Sequence, residues 1–313
     1  MDYLLLIHRN LQYVSQLPTL RQLQFLLALA EHGSFSRAAE SVFVTQPTLS
    51  AAIKELEAIL GVILVERGAR GATLTPAGDA VLARARRVMT EAEDLVIAAQ
   101  AAGEPLCGPF KLGVIPTIAP FLLPRVLPTV RRQFPKLELY LREDLTHRLY
   151  DALLERRLDA ALVALPFEAA MIETHVLGAD EFLFCCEPTH PLARKPALRA
   201  SDLAGEPLLL LEDGHCLRDH ALAACSAGTV RSDFAATSLH TLVQMVKAGL
   251  GATLLPRMAV EAGLVDRLGL EVRPFDPPVV GREIGIAWRR GSARAEEARQ
   301  LGEVIRGLLT TPE

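Results

Sequence analysis

The 313-residue sequence has no apolar run approaching the roughly 18 residues needed to span a membrane, so no transmembrane helix is expected. It also lacks any surplus of positive charge. A formal net charge of −4 argues against a surface given over as a whole to nucleic acid, but leaves room for one small basic footprint. Cysteine is scarce and odd in number: five residues do not make the paired framework of a small secreted domain, and fit cytosolic thiols better. The opening MDYLLLIHRNLQYVSQ has an acid at position 2 and only LLLI as an apolar core, too short for a secretion signal. A cytoplasmic protein without a membrane partner is expected, with residues 1–16 as an extension of no assigned role. Half of the residues are hydrophobic and 22% are charged, so the chain should fold, and its length suits two or three domains.

Residues 18–33, PTLRQLQFLLALAEHG, place Leu20, Leu23, Leu26, Leu27 and Ala30 on one helical face before a glycine stop. Ser34 is placed to cap a short helix over 35–41, whose Ala38 and Ala39 allow close helix contact. Thr45 is placed to cap a third helix running to about Leu60, with Pro47 in its first turn, where the missing N–H costs nothing. Two short helices joined by a tight turn make a helix-turn-helix, whose second helix offers its first side chains to the major groove. Here these are Thr45, Gln46, Pro47, Thr48 and Ser50, with Lys54 further along. Two short β segments, 62–66 and 72–74, then flank Arg67, Gly68, Arg70 and Gly71, the composition of a wing. Residues 17–80 hold five basic and six acidic residues, so affinity must come from placement. Arg37, Lys54, Arg67 and Arg70 are the candidates for phosphate and minor-groove contact. The alternative is a three-helix unit with a purely structural role.

Thr75 and Pro76 open another helix. Val81, Ala85, Val88, Ala92, Leu95 and Ala99 recur at spacings of four and three, a seam for a second helix, and Gly103-Glu104-Pro105 should end it. It reads as a dimerisation helix over 76–107, the alternative being a helix lying on its own domain. From Gly108 strands and helices alternate through KLGVIPT, LELYLRE and LDAALVAL, the pattern of a parallel sheet. EFLFCCE at 181–187 begins a second such unit, and EIGIAWR at 283–289 with the last helix returns to the first. The expected fold is therefore α/β: a winged helix-turn-helix (17–75), a long linker helix, and a two-lobed sensor domain (108–313) like that of periplasmic binding proteins. Lobe I would hold 108–180 and 283–313, and lobe II 181–282. Ligands of such folds lie between the halves, near strand C-termini and helix N-termini.

The chemistry-bearing stretch is LEDGHCLRDHALAAC, 211–225. His215, Arg218 and His220 surround Cys216, and cationic neighbours favour the thiolate, which is the nucleophile. Asp213 and Asp219 oppose this, and a small buried hydrophobe is the plainer reading of one cysteine. The second thiol, Cys225, changes the weighing. If 217–225 continues as a helix, a rise of about 1.5 Å per residue sets the two Cα atoms roughly 13 Å apart. A disulfide needs about 7 Å or less. Bridging would force the segment to unwind, giving two states selected by oxidation. Cys185 and Cys186 in an apolar strand, even with His190 nearby, lack tetrahedral ligand spacing and read as core, as does Trp288; no metal is expected. Cys107 falls in the linker without an assigned partner.

GHCLRD followed by a second cysteine, together with SFSRAAESVFVTQPTLSAAIKELEAILGVILVERGARGATLTPAG, resembles the peroxide-sensing branch of the LysR-type transcriptional regulators, over residues 17–313. The resemblance implies that Cys216 is the peroxidatic thiol and Cys225 the resolving one. It implies that Thr117, Thr146, His147, Gly214, His215 and Arg282 gather around Cys216 to bind peroxide, although Thr117 and Thr146 by themselves read as helix N-caps. No cofactor is implied. Implied partners are hydrogen peroxide, a palindromic DNA operator, a second copy of the chain (assembling to a homotetramer), RNA polymerase and a cellular disulfide reductant. The loop between Cys225 and the TSL at 237–239 is shorter than the resemblance leads one to expect. A metabolite-responsive regulator of the same family and a thiol peroxidase are the competing readings; the winged helix speaks against an enzyme.

Overall fold

A computed structural model describes residues 17–68, 71–101, 106–166, 169–224 and 235–310. The chain forms two compact units that divide between Val96 and Ile97. In the first, α1 (Leu20–His32) starts at Thr19. The Thr19 hydroxyl accepts from Gln22 N, and the Gln22 side chain accepts from Thr19 N in return, a closed capping box. Gly33, at φ 60°, ends the helix in the left-handed region. Ser34 stands at the N-cap of α2 (Phe35–Ser41) but makes no side-chain capping bond, contrary to expectation. Thr45 does cap α3 (Gln46–Leu60), accepting from Thr48 N at 3.4 Å. Leu26, Leu29, Ala38, Leu49, Ile53, Leu56 and Leu64 are fully buried between the three helices.

The wing is the antiparallel pair β1 (Val65–Gly68) and β2 (Gly71–Leu74). Its first strand begins three residues later than the sequence suggests, at Val65 rather than Val62, because Glu57 on α3 takes the amides of Leu64 and Val65 on its carboxylate, at 2.8 and 3.2 Å. The wing's return strand is tied by Ala72 N to Gly33 O, and only glycine fits at position 71, where φ is 124° and a Cβ would strike that same carbonyl.

Helix α4 (Pro76–Ala101) is capped by Thr75, whose hydroxyl accepts from Gly78 N at 2.9 Å. The seam read along it divides. Val81, Ala85 and Met89 pack onto the core of their own winged helix. Val88 and Leu95 are 46% and 73% exposed. The helix as far as Met89 thus packs in the way of the alternative reading, since an amphipathic helix first covers the apolar surface already beside it.

The second unit is built on one six-stranded sheet in the order β4-β3-β5-β10-β6-β9. Strands β3 (Gly108–Val114), β4 (Leu137–Glu143) and β5 (Ala160–Leu165) are parallel, joined through α5 (Ala119–Gln133) and α6 (Thr146–Leu154). Within this sheet the parallel pairing stops there; it recurs between Leu210–Leu211 and Ala235–Ala236, in the second expected unit. Strands β6 (Ile172–Cys186), β9 (Thr253–Pro256) and β10 (Glu271–Arg289) add antiparallel. Both β6 and β10 are continuous across the places where the sequence suggested lobes would part. Their register slips between Pro274 and Val279, where Pro277 and Pro278 remove ladder donors, and again between Val280 and Arg282, at Gly281.

Two cores lie along these strands. One gathers Leu112, Leu162, Ile284, Ile286, Trp288 and Ile305. The other gathers Phe182, Phe184, Cys185, Cys186, Val246 and Leu255, with the short pair β7 (Leu210–Leu211) and β8 (Ala235–Ala236), α7 (Cys216–Ala224) and α8 (Leu239–Lys247) around it. Helices α9 (Arg257–Glu261) and α10 (Ala295–Thr310) complete the unit. Among the described residues, no helix is long and apolar enough to cross a membrane.

Candidate functional site

At the start of α3, Thr45, Gln46, Pro47 and Thr48 are exposed and Ser50 is half-buried. The hydroxyls of Thr45 and Thr48 lie 2.8 Å apart, so the cap bond also fixes the two short polar groups against each other. Arg37 on α2 and Lys54 on α3 are exposed. Arg67 falls in β1, paired in register with Ala72. Arg70 lies outside the described residues.

In the second unit, the crossing of β6 and β10 carries the most buried charge. Arg282 and Asp180 are register partners there, with side chains 0% and 4% exposed. Arg282 Nε and Nη2 donate to one Asp180 oxygen at 3.0 and 2.9 Å. Two more donors go to Thr117: Nη1 to its hydroxyl at 2.7 Å and Nη2 to its carbonyl at 3.0 Å. The other Asp180 oxygen accepts from Met258 N, in the first turn of α9. One buried ion pair thereby joins the loop after β3, both crossing strands and α9. Thr117 is consequently not a helix cap: the N-cap of α5 is Ile118, without a side-chain bond. Nor is Thr146 a cap, being the first residue of α6 behind Leu145. A guanidinium with five donors in a buried place outcompetes a local amide for the one hydroxyl available.

Cys216 is the first residue of α7 and is half-buried. Its neighbour Leu217 belongs to the second core, yet the Cys216 side chain packs against the first. The thiol therefore sits in the cleft between the two cores. The loop before it turns at Gly214, φ 96°, and passes so close to α6 that a Cβ there would touch Leu145 at 3.5 Å. His215 is 6% exposed, and burial pushes its pKa down. His220 lies one helical turn beyond Cys216. Burial pushes its pKa down, the charge of Arg282 adds to the effect, and Asp219 opposes it. Its Nδ1 is buried without a hydrogen-bond partner among the described residues. Arg218 turns away to Asp213, at 3.1 Å, and to the carbonyl of Leu211.

The three cations expected around the thiol are thus rearranged. Two imidazoles are driven toward neutrality, Arg218 braces the preceding loop, and Arg282 supplies the fixed charge acting on this helix. Thr117 and Arg282 are brought into contact, and Gly214 against the start of α6; His147 is exposed. Cys225 lies outside the described residues.

The sequence reading missed Asp180. Its signal was the acidic pair Asp180-Glu181 ahead of the apolar FLFCC run, with Arg282 at the matching point of β10. Cys185 and Cys186 are completely buried, and burial lifts their thiol pKa values to about 12 and about 11. His190 is engaged elsewhere, with Glu206 and Leu192 N. Among the described residues no group of three His, Cys, Asp or Glu side chains is placed to hold a metal ion.

This combination of a winged helix-turn-helix and a two-core α/β unit defines a class. Residues 20–79 match the bacterial regulatory helix-turn-helix protein, lysR family, and residues 103–310 match the LysR substrate binding domain. The chain belongs to the LysR family of DNA-binding transcriptional regulators. Within it, the chain is 43% identical over 292 residues to the DNA-binding transcriptional dual regulator OxyR of Escherichia coli K12, covering 93% of this chain and 95% of that one. It is also 43% identical over 289 residues to the hydrogen peroxide-inducible genes activator of Pectobacterium carotovorum, covering 92% and 95%. Among solved structures, it is similar to a full-length cysteine-to-aspartate variant of OxyR from Pseudomonas aeruginosa, with TM-score 0.72, 39% identity and coverage of 93% and 98%. A hydrogen peroxide-bound cysteine-to-serine variant of OxyR from Corynebacterium glutamicum matches with TM-score 0.65 and 36% identity, over 94% and 93%.

Proposed function

We propose that this regulator responds to hydrogen peroxide through Cys216 and Cys225 and controls oxidative-stress genes. The observation that carries the reading is the position of Cys216: a half-buried thiol at the first residue of a helix, between the two cores, with the Arg282 charge reaching His220 one turn along the same helix. A helix start presents amide N–H groups and favours negative charge. In the proposed step the Cys216 sulfur attacks one peroxide oxygen. An S–O bond forms, the O–O bond breaks, and the departing oxygen takes a proton to leave as water. Sulfur loses two electrons and peroxide gains them. The Cys225 thiol then attacks the sulfenic sulfur, forming the disulfide and releasing a second water.

Thr117, Thr146, His147, Gly214, His215 and Arg282 are the proposed peroxide site. Arg282 and Thr117 supply donors from a fixed frame, and His147 has to turn inward to take part. Because α7 spans 216–224, a bridge to position 225 requires that helix to unwind. That change would be passed to the DNA through a dimer, with the exposed Val88 and Leu95 as its contact and two dimers forming a tetramer. No cofactor enters the scheme. A cellular disulfide reductant would reset it, and RNA polymerase would read the result. Thr45, Gln46, Pro47, Thr48 and Ser50 are proposed to face a palindromic operator, with Arg37, Lys54, Arg67 and Arg70 on phosphates.

The test is mass spectrometry after one equivalent of hydrogen peroxide. A 216–225 disulfide with loss of two thiols is expected. Unchanged thiols alongside a response to a small metabolite would replace this reading with that of a metabolite sensor. Continued peroxide consumption with a thiol reductant, without any effect on DNA binding, would indicate a thiol peroxidase.

A further inference from the structure

Phe43 stands in the turn between α2 and α3 and combines two unfavourable features. Its side chain is 96% exposed, more than any other described large apolar side chain. Its backbone is left-handed, at φ 56°, a conformation that glycine or asparagine adopts with less strain. The flanking Val42 and Val44 both pack toward the core of the winged helix. The turn is also firmly held: Val42 N donates to Ala38 O, Phe43 N to Glu40 O and Val44 N to Ala39 O, at 3.3, 3.1 and 2.9 Å. Phe43 therefore projects from a rigid support into solvent, and folding recovers nothing from its ring. A strained backbone bearing an uncovered aromatic points to something outside the fold that covers it.

Its place in the motif says what. Phe43 comes two residues before the Thr45 cap, and the exposed run Thr45, Gln46, Pro47, Thr48 continues from it. When the first turn of the second helix enters a major groove, the segment leading into that turn passes the groove wall. The wall consists of phosphates and deoxyribose rings, and only the rings offer C–H surface to an aromatic face. Resting on the family's DNA-binding role, we propose that Phe43 packs against deoxyribose at the groove edge as an uncharged anchor that sets the depth of the recognition helix. Such a contact is independent of base sequence. It releases no counterions, so it leaves no trace in the salt dependence.

The experiment measures binding of the full chain to a mixed-sequence duplex by fluorescence anisotropy across a salt series. Phe43→Ala and Phe43→Asn should each weaken binding by about tenfold at every salt concentration, the order expected when one phenyl ring loses its cover. The slope of log affinity against log salt should stay as in the parent, whereas Arg37→Ala should make it shallower. Both Phe43 variants should melt no lower than the parent, which separates loss of the ring from loss of the fold. Parent-like affinity in Phe43→Ala overturns the proposal while leaving DNA binding intact; a parent that fails to bind the duplex would instead strike the family reading. A changed salt slope, a loss abolished by replacing thymine with uracil, or dissociation of the variant into monomers on sedimentation would also overturn it. These would place the ring on a phosphate-linked contact, a base or a second copy.

Discussion

Cys185 and Cys216 are thirty-one positions apart in one unit, and their surroundings differ in every respect that governs a thiol. Cys185 and Cys186 alternate on β6, and both faces of the strand are covered, so that both thiols are core as the sequence suggested. Burial raises their pKa values to about 12 and about 11, so neither supplies a thiolate near neutrality. Cys216 is half-buried at a helix start, between the two cores. A sheet interior makes cysteine a small hydrophobe, whereas a loop-to-helix junction between two cores leaves the sulfur partly accessible.

The largest expected effect follows directly. Cys216→Ser should abolish the change in operator binding on peroxide treatment, because a hydroxyl cannot replace a thiolate in attack on the O–O bond. Cys225→Ser should still consume one equivalent and leave sulfenic acid at Cys216, detectable by a dimedone adduct. Replacing Cys185 and Cys186 together with alanine should leave the response whole. A response lost in that double variant and retained in Cys216→Ser would reverse the comparison.

Native alkylation comes next. Iodoacetamide on the reduced protein should label Cys216 and the exposed Cys107 within the time that Cys185 and Cys186 remain unlabelled; urea should make all of them reactive. Asp180→Ala sharpens this further, since it leaves the Arg282 guanidinium buried beside an absent partner. Breaking a buried pair from one side costs about 3–5 kcal/mol. The urea concentration at which Cys185 and Cys186 become labelled should fall accordingly, while Cys216 labels with or without urea.

These contrasts show how far the sequence carried. Helices with caps inside their own sequence were legible: Thr45 with Pro47 opened α3, and Thr75 with Pro76 opened α4, because the bonds are made within three or four residues. The helix-turn-helix and the chemistry-bearing stretch at 211–225 were legible for the same reason, their signals being short-range. What failed was decided at long range. Thr117 read as a cap because nothing near it announces Arg282, which lies 165 positions away. The antiparallel partners of β10 and the length of β6 depend on a chain returning through a second core. The seam on α4 was periodic throughout, but periodicity does not tell whether the surface it covers lies within the chain or on another copy. His215, Arg218 and His220 looked alike as cations; burial and one aspartate separated them.

The smallest expected effect places the two regions at opposite ends of the pH scale. His215 and His220 have folded pKa values below the usual 6.5, so the unfolded chain binds their protons more readily than the folded one. Their contribution is neutral above that value, and stability falls as pH drops below about 6.5 toward the folded pKa values. Cys185 and Cys186 are displaced the other way, from 9.0 to about 12 and about 11. The folded chain keeps these protons after the unfolded chain has begun to lose them, so stability is full below about pH 9 and declines above it. Thermal unfolding of the reduced protein across this range should therefore show a plateau with a shoulder at each end. His220→Gln should soften the acid shoulder and leave the alkaline one, because glutamine carries no proton to gain. Alanine at 185 and 186 should lower the plateau through lost packing and remove the alkaline shoulder. If both substitutions altered the same shoulder, the thiol core and the cleft would not be separate electrostatic environments, and the contrast between Cys185 and Cys216 would need another cause.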